Sequence, residues 1–407
     1  MKVQRLTQPI KVDPYYQNKP CGAAGIVIPK AHFTTGVANT DLLYYVKTFR
    51  EDSGTLAYAS YCPQANTFGL ASGRPTVAFM NINLKHLDED LKSKDPMLLA
   101  KWIFICIHEV THSFVFSPNY FDKFLLEPNP VKKINGKPAV VAPSVVKLGK
   151  EHFGCSTLTS LPLEDEGGDG TMGAHWERKA FGNELMTGSQ MYDSVFSKFT
   201  FAMFTASGWY KMNDYMAGTL TWGYNEKCDF LSYACPTTSQ EFCKVDGSHC
   251  SYDYTGSGYC SSSDDLSDKC KYWDSYSNTH CSFPDADAQT LFKNAGGSFG
   301  PTARCFETDV AKAARYSGVT SLCLDSYCDF KNGVQIKFKV AGTEYACTTS
   351  TKSVTIPNKG TVQCPDVLRF CFSPSACPNS CTGRGVCRLG TCNCYAGFSG
   401  SDCSVSK

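Results

Sequence analysis

The feature that most restricts this chain is its cysteines, 23 in 407 residues, an odd number that crowds toward the C-terminal half. Thirteen of them fall between Cys228 and Cys371, amid Ser, Asp, Tyr and Gly turns, so this stretch is expected to be a disulfide-stapled domain with few long elements. A reducing cytosol would not keep such a density oxidised, which points to a secreted or cell-surface protein. Residues 1–16 are polar and contain no apolar run like a signal peptide, so the start reads as incomplete. No run of about 20 uncharged apolar residues occurs, and the C-terminus lacks the apolar tail of a lipid-anchor signal. Lys plus Arg number 39 against 38 Asp plus Glu with no dense basic stripe, which excludes nucleic acid and an anionic membrane surface as expected partners.

At this length two to four compact units are expected. The first third reads as mixed α and β: residues 42–46, 55–61 and 76–83 are short β-branched and aromatic runs separated by Gly, Ser and Pro. A helix follows, with Asp95 as N-cap, Pro96 at its first position and residues 97–116 free of Gly and Pro until Ser117-Pro118. Residues 165–173 are Gly-rich and polar, a loop, and residues 193–208 read as a buried helix.

Inside the first of these helices stands His108-Glu109-Val-Thr-His112. Residues four apart lie one turn above each other, so both imidazoles face one metal ion with Glu109 beside them. A core helix with two histidines satisfied by carbonyls is the simpler alternative; burying two His and a Glu behind WIFICI is costly unless a metal offsets it. Catalytic zinc takes three protein ligands and leaves one position open. A Glu about 20 residues on is lacking, since Val131 and Lys132 stand there and Glu127 comes too early; the pattern HExxHxxGxxH would need Gly and His where Val115 and Pro118 stand. A third ligand after a longer insertion remains, and GTMGAHWERKAFGNELMTG supplies His175.

The order Glu164-Asp165-Glu-Gly167-Gly168, then Gly173-Ala-His175, then Asn183-Glu-Leu-Met186 resembles the leishmanolysin family of surface metallopeptidases, as do GTLAYASYC, GWYKMN and WGYNEKCDFL. The resemblance covers most of residues 20–376. It implies an α+β fold with a metzincin-type catalytic domain of mixed sheet and zinc-binding helix, then a disulfide-rich domain. The implied division is 1–113 through the HExxH helix, 114–227 with the third ligand and Met-turn, and 228–376 rich in cysteine. It also implies one Zn2+ per chain on His108, His112 and His175, and Glu109 as base for a zinc-activated water. Met186 would lie as an apolar floor beneath the metal, and Leu56, Ala57, Tyr58 and Ala59 in an edge strand that pairs with extended protein or peptide substrate. The last six cysteines, Cys377, Cys381, Cys387, Cys392, Cys394 and Cys403, resemble an EGF-like module over 377–407, a candidate contact to a surface or matrix partner. The implied pairs are Cys377 with Cys387, Cys381 with Cys392, Cys394 with Cys403, Cys21 with Cys62, and Cys155 with Cys228. Cys235 to Cys371 would pair among themselves, and Cys106 would be left as a buried, inert thiol.

The alternative reading is an inactive extracellular adhesion protein on a peptidase-like fold. His32, His86, His152, His249 and His280 lack ligand spacing and read as ordinary residues, and Trp176 and Glu177 as packing around His175.

Overall fold

A computed structural model of the chain describes all residues except 4, 22–25, 63–72, 93–95, 190, 192, 233, 237–238, 245–246, 262–264, 284–285, 311–319 and 332. The N-cap expected at Asp95 lies outside the described residues. The chain forms two units: Met1–Lys94, Leu98–Gln190 and Phe196–Ala217 make one, and Asp95–Met97, Met191–Val195 and Gly218–Lys407 the other.

In the first unit a short strand β1 (Lys2–Val3) and a helical turn α1 (Lys30–Thr34) precede a three-stranded mixed sheet. Its strands are β2 (Leu43–Phe49), β3 (Ala57–Tyr61) and β4 (Val77–Asn83). The apolar run VAFMNIN makes β4 the central strand, parallel to β2 and antiparallel to β3, which leaves β3 at an edge. Asn83 then caps α2 (Leu84–Leu91), its side chain accepting the Lys85 N–H.

The next helix, α3 (Pro96–Phe114), ends two residues earlier than expected. Val115 N–H and Phe116 N–H both donate to Thr111 O, and the Ser117 hydroxyl restarts the chain as α4 (Pro118–Phe121) by accepting from Asn119 N–H. Leu98–Phe121 is long and apolar enough to cross a membrane by length and composition alone. That stretch contains Lys101, His108, Glu109 and His112, and its Ala100, Trp102, Ile105, Val115 and Phe116 are buried in this unit, as in a core helix.

A small antiparallel sheet of β5 (Val131–Ile134), β6 (Lys137–Val140) and β7 (Leu161–Pro162) brackets α5 (Pro143–Phe153). There follow α6 (Arg178–Phe181), α7 (Lys198–Ala206) and β8 (Tyr210–Lys211), the last pairing with β1. The helix expected over 193–208 is therefore shorter. Its start is set by Ser197, whose hydroxyl accepts the Phe199 N–H, and an N-cap overrides the apolar run before it.

The second unit is more regular than its cysteines and turns suggest. Strands β9 (Ser248–Cys250), β10 (Gly256–Cys260) and β11 (Trp273–His280) form one antiparallel sheet. A second consists of β12 (Ala303–Glu307), β13 (Ser321–Asp329), β14 (Gln335–Val340) and β15 (Thr343–Thr348), in that order. Phe306, Leu322, Leu324, Ile336 and Phe338 fill its core. Several cysteines sit inside these strands and pair across elements, Cys250 with Cys305, Cys281 with Cys323, and Cys328 with Cys371. Reading them only as loop staples hid the alternation of SLCLDSYCD. The module from Cys377 carries the three expected disulfides, and Cys21–Cys62 closes in the first unit. Cys155 and Cys228 are both disulfide-bonded, and Cys106 is the free cysteine.

Candidate active site

His108 and His112 project from one face of α3 with their Nε2 atoms 3.0 Å apart. His175, from the loop before α6, brings its own Nε2 to 3.2 Å from His108 and 3.1 Å from His112. Each ring turns its other nitrogen to a backbone carbonyl: His108 Nδ1 to Leu185 O at 2.6 Å, His112 Nδ1 to Phe116 O at 2.8 Å, His175 Nδ1 to Thr171 O at 3.0 Å. A carbonyl can only accept, so Nδ1 carries the proton in each ring and Nε2 offers a lone pair. Burial keeps the rings neutral, lowering His108 to about 3 and His175 to about 4 and holding His112 well below its usual range; the neighbouring histidines lower His108 and His112 further.

Three lone pairs converging at this distance repel unless a cation stands between them. Tetrahedral zinc with bonds of ~2.0 Å holds its ligand nitrogens about 3.3 Å apart, so this donor set fits that ion in number, protonation and spacing. Among the described residues an acidic cluster, Glu164, Asp165 and Glu177, is engaged otherwise: Glu164 Oε1 accepts the Glu166 N–H, Asp165 pairs with Lys137 at 2.7 Å and Glu177 caps α6.

Glu109 is buried beside these rings, and its carboxylate accepts the Ala59 N–H. Burial raises its pKa to about 8, with the Ala59 N–H acting in the opposite direction. Asn83 N–H donates to Leu56 O and Cys62 N–H to Val77 O, so by the strand alternation the backbone groups of Leu56 and Tyr58 face β4. Those of Ala57 and Ala59 face the open edge. Of the four residues expected in the edge strand, Leu56 precedes β3 and the other three lie in it.

His175 is carried by local turns and one anchor. Gly168 and Gly173 take φ of 72° and 71°, a region open to glycine, and Gly173 N–H closes on Glu164 O at 2.7 Å. Glu164 N–H then donates to His175 O and Trp176 N–H to Met186 O, which ties the His175 loop to the turn containing Met186. Trp176 is fully buried against Phe116 and Phe181, centroids 5.2 and 4.7 Å away, and its indole N–H donates to Thr200. Met186 is itself fully buried, one residue beyond the carbonyl that holds His108. Sequence reasoning missed the carbonyls of Leu185, Phe116 and Thr171 and the Ala59 N–H, because backbone groups leave no mark in residue identity.

A family model described as Leishmanolysin matches residues 1–264 and 243–375, and one described as Teneurin-like EGF domain matches 377–406. The chain belongs to the leishmanolysin family. The Leishmanolysin of Leishmania tropica is 26% identical over 389 residues, 84% of this chain and 56% of that protein. The Leishmanolysin homolog of Crithidia fasciculata is 31% identical over 215 residues, 51% of this chain and 30% of the relative. A Leishmanolysin-like peptidase of Drosophila pseudoobscura pseudoobscura is 31% identical over 244 residues, 49% and 34% respectively. The chain thus spans between about a third and just over half the length of these relatives.

Leishmanolysins are zinc metallopeptidases, and the remaining features of the site accord with such a centre. Glu127 is occupied at the start of α5, where its carboxylate accepts the Ser144 N–H. Val115 stands where the shorter metzincin pattern has glycine, and it takes no left-handed backbone here, so its β-branched side chain meets no strain at the end of α3. The other histidines are engaged elsewhere: His32 with Tyr45, His86 with Ser53 O, His249 with Glu307 and His280 with Ser282, while His152 packs on Phe153 and Phe199.

Proposed function

We propose that this chain is a zinc-dependent endopeptidase acting on extended polypeptide segments, with one zinc ion held by His108, His112 and His175. The observation that carries the reading is the convergence of three tautomer-locked Nε2 lone pairs beside a buried carboxylate. When bound, zinc supplies a Lewis acid that acidifies water and polarises a peptide carbonyl.

Glu109 accepts the proton of the attacking water at its carboxylate and returns it to the departing amine. The Ala59 N–H orients that carboxylate from the edge strand. Substrate lies along β3 and pairs with the outward backbone groups of Ala57 and the carbonyl of Ala59, a contact that gives affinity with loose sequence preference. Met186 forms the apolar floor of the site. The disulfides and the EGF-like module support a location outside the cell or at its surface, and a surface or matrix partner is the proposed contact of that module.

Glu109→Gln tests the reading. It is expected to retain zinc while hydrolysis of casein falls by about 10²–10⁴-fold, the usual contribution of a general base. Undiminished cleavage by that variant would remove Glu109 from the mechanism. An unaltered chain that binds zinc and cleaves neither casein nor gelatin would favour the non-catalytic adhesion protein.

A further inference from the structure

Glu184 is a buried carboxylate to which the mechanism above assigns nothing. Its side chain receives four hydrogen bonds, divided between its oxygens. Oε2 accepts the Met186 N–H at 2.5 Å, and Oε1 accepts the Ser197 N–H at 3.2 Å, the Ser197 hydroxyl at 2.7 Å and the Thr200 hydroxyl at 2.6 Å. Leu185 lies between Glu184 and Met186, and its carbonyl accepts His108 Nδ1–H. On the far side of the same turn Met186 O accepts the Trp176 N–H at 2.8 Å, and Trp176 adjoins His175 in the chain. One acceptor-only group therefore joins the start of α7 to the turn that orients a metal-facing ring.

We propose that Glu184 is a positioning residue for the zinc centre, pinning the Leu185–Met186 peptide so that Leu185 O holds His108 with its Nε2 lone pair aimed at the metal. The inference rests on the zinc reading above. Partners behind a metal ligand fix its tautomer and its direction, and their loss typically weakens metal binding by about 10–100-fold. A buried carboxylate with charge-assisted bonds to fixed donors is a stiff anchor for this purpose. The competing explanation is that Glu184 only secures the N-terminus of α7 through Ser197 and Thr200.

Because the two roles fall on different oxygens, they can be separated. Glu184→Gln can keep an oxygen toward Ser197 and Thr200, but its NH2 then faces the Met186 N–H, donor against donor. Ser197→Ala weakens the α7 start and leaves the Met186 contact in place. In the full chain, zinc affinity is measured by competition with a chromophoric chelator, alongside thermal unfolding of the chelated, metal-free protein. Glu184→Gln is expected to lose about 10–100-fold in zinc affinity. Ser197→Ala is expected to unfold at lower temperature with its zinc affinity nearly unchanged. Should Glu184→Gln fail to fold, Glu184→Asp, which keeps the charge and shortens the reach, is expected to weaken zinc in the same sense. Tight zinc binding in the unaltered chain that persists in the folded Glu184 variant overturns the proposal alone, as does an equal loss in Ser197→Ala. An unaltered chain with no zinc affinity overturns the zinc reading and this inference with it.

Discussion

The two units of this chain are held together by different means. The first encloses the disulfide Cys21–Cys62, has a further disulfide-bonded cysteine in Cys155, and depends mainly on packing, with Trp176, Phe181, Phe199 and Phe153 in one aromatic cluster. The second is crosslinked along its length, from Cys235–Cys270 to Cys394–Cys403. The difference follows from what each must do. Three neutral imidazoles with facing lone pairs are unfavourable by themselves, and only dense surroundings keep them converged. A disulfide restricts the unfolded chain, yet it does not aim a ring nitrogen to within a few tenths of an ångström. In the second unit the sheets have their own buried core around Phe306, Ile336 and Phe338, and the disulfides add covalent closure to it.

The harshest test of the contrast removes a ligand from the packed unit. His175→Ala should lose more than about 100-fold in zinc affinity, beyond what a partner behind a ligand contributes, and with it all measurable peptidase activity. Metal analysis at full zinc occupancy would point to another third ligand. In the crosslinked unit, replacing Cys328 and Cys371 together by Ala should cost about 2–4 kcal/mol, since the bridge closes a loop of 43 residues. Denaturant unfolding measures the loss. If zinc affinity fell along with stability, the two units would not be energetically separate.

Cys106 sharpens the comparison from the other side, as a thiol in the packed unit with no crosslinking role. Burial pushes its pKa up, and the nearby Glu109 carboxylate adds to the effect. Cys106→Val should keep disulfides and activity at a cost of about 1 kcal/mol or less, as for a volume-conserving swap. Labelling of the unfolded, unreduced chain should find one thiol, and peptide mapping that placed Cys106 in a disulfide would refute this.

The smallest effect concerns histidine titration. In the second unit the hydrogen bond to Glu307 raises the pKa of His249 above 6.5. Its contribution is therefore fully present below about pH 6.5 and lost as pH rises through the raised value. The pair is half-exposed, so screening limits it to a few tenths of a kcal/mol. His249→Gln should unfold slightly below the unaltered chain at pH 5.5 and level with it at pH 9. A difference that did not vary with pH would show the pair to be electrostatically idle.

Much of the candidate site was legible in the sequence because its parts are local. The spacing of His108, Glu109 and His112 needs only the helical period, and the helix could be placed from its lack of Gly and Pro. The cysteine pairs implied by the family resemblance hold at Cys21–Cys62 and throughout the EGF-like module. Local reading failed where two signals competed, as at Ser197, whose cap shortened a helix that the apolar run suggested would start earlier. It failed again in the second unit, where cysteines within β13 belong to its sheet.

By itself the sequence determined the chemical types at the site and the order in which they occur, since residue identity and helical period are properties of the chain. Tertiary structure decided which nitrogen of each histidine faces the other two rings. Leu185 O reaches His108 across 77 residues, and Ala59 N–H reaches Glu109 from a separate strand. Every residue carries such a carbonyl, and every residue except proline such an N–H, so no residue type announces them. Only the packing of β3, α3 and the turn around Leu185 selects the ones that are used.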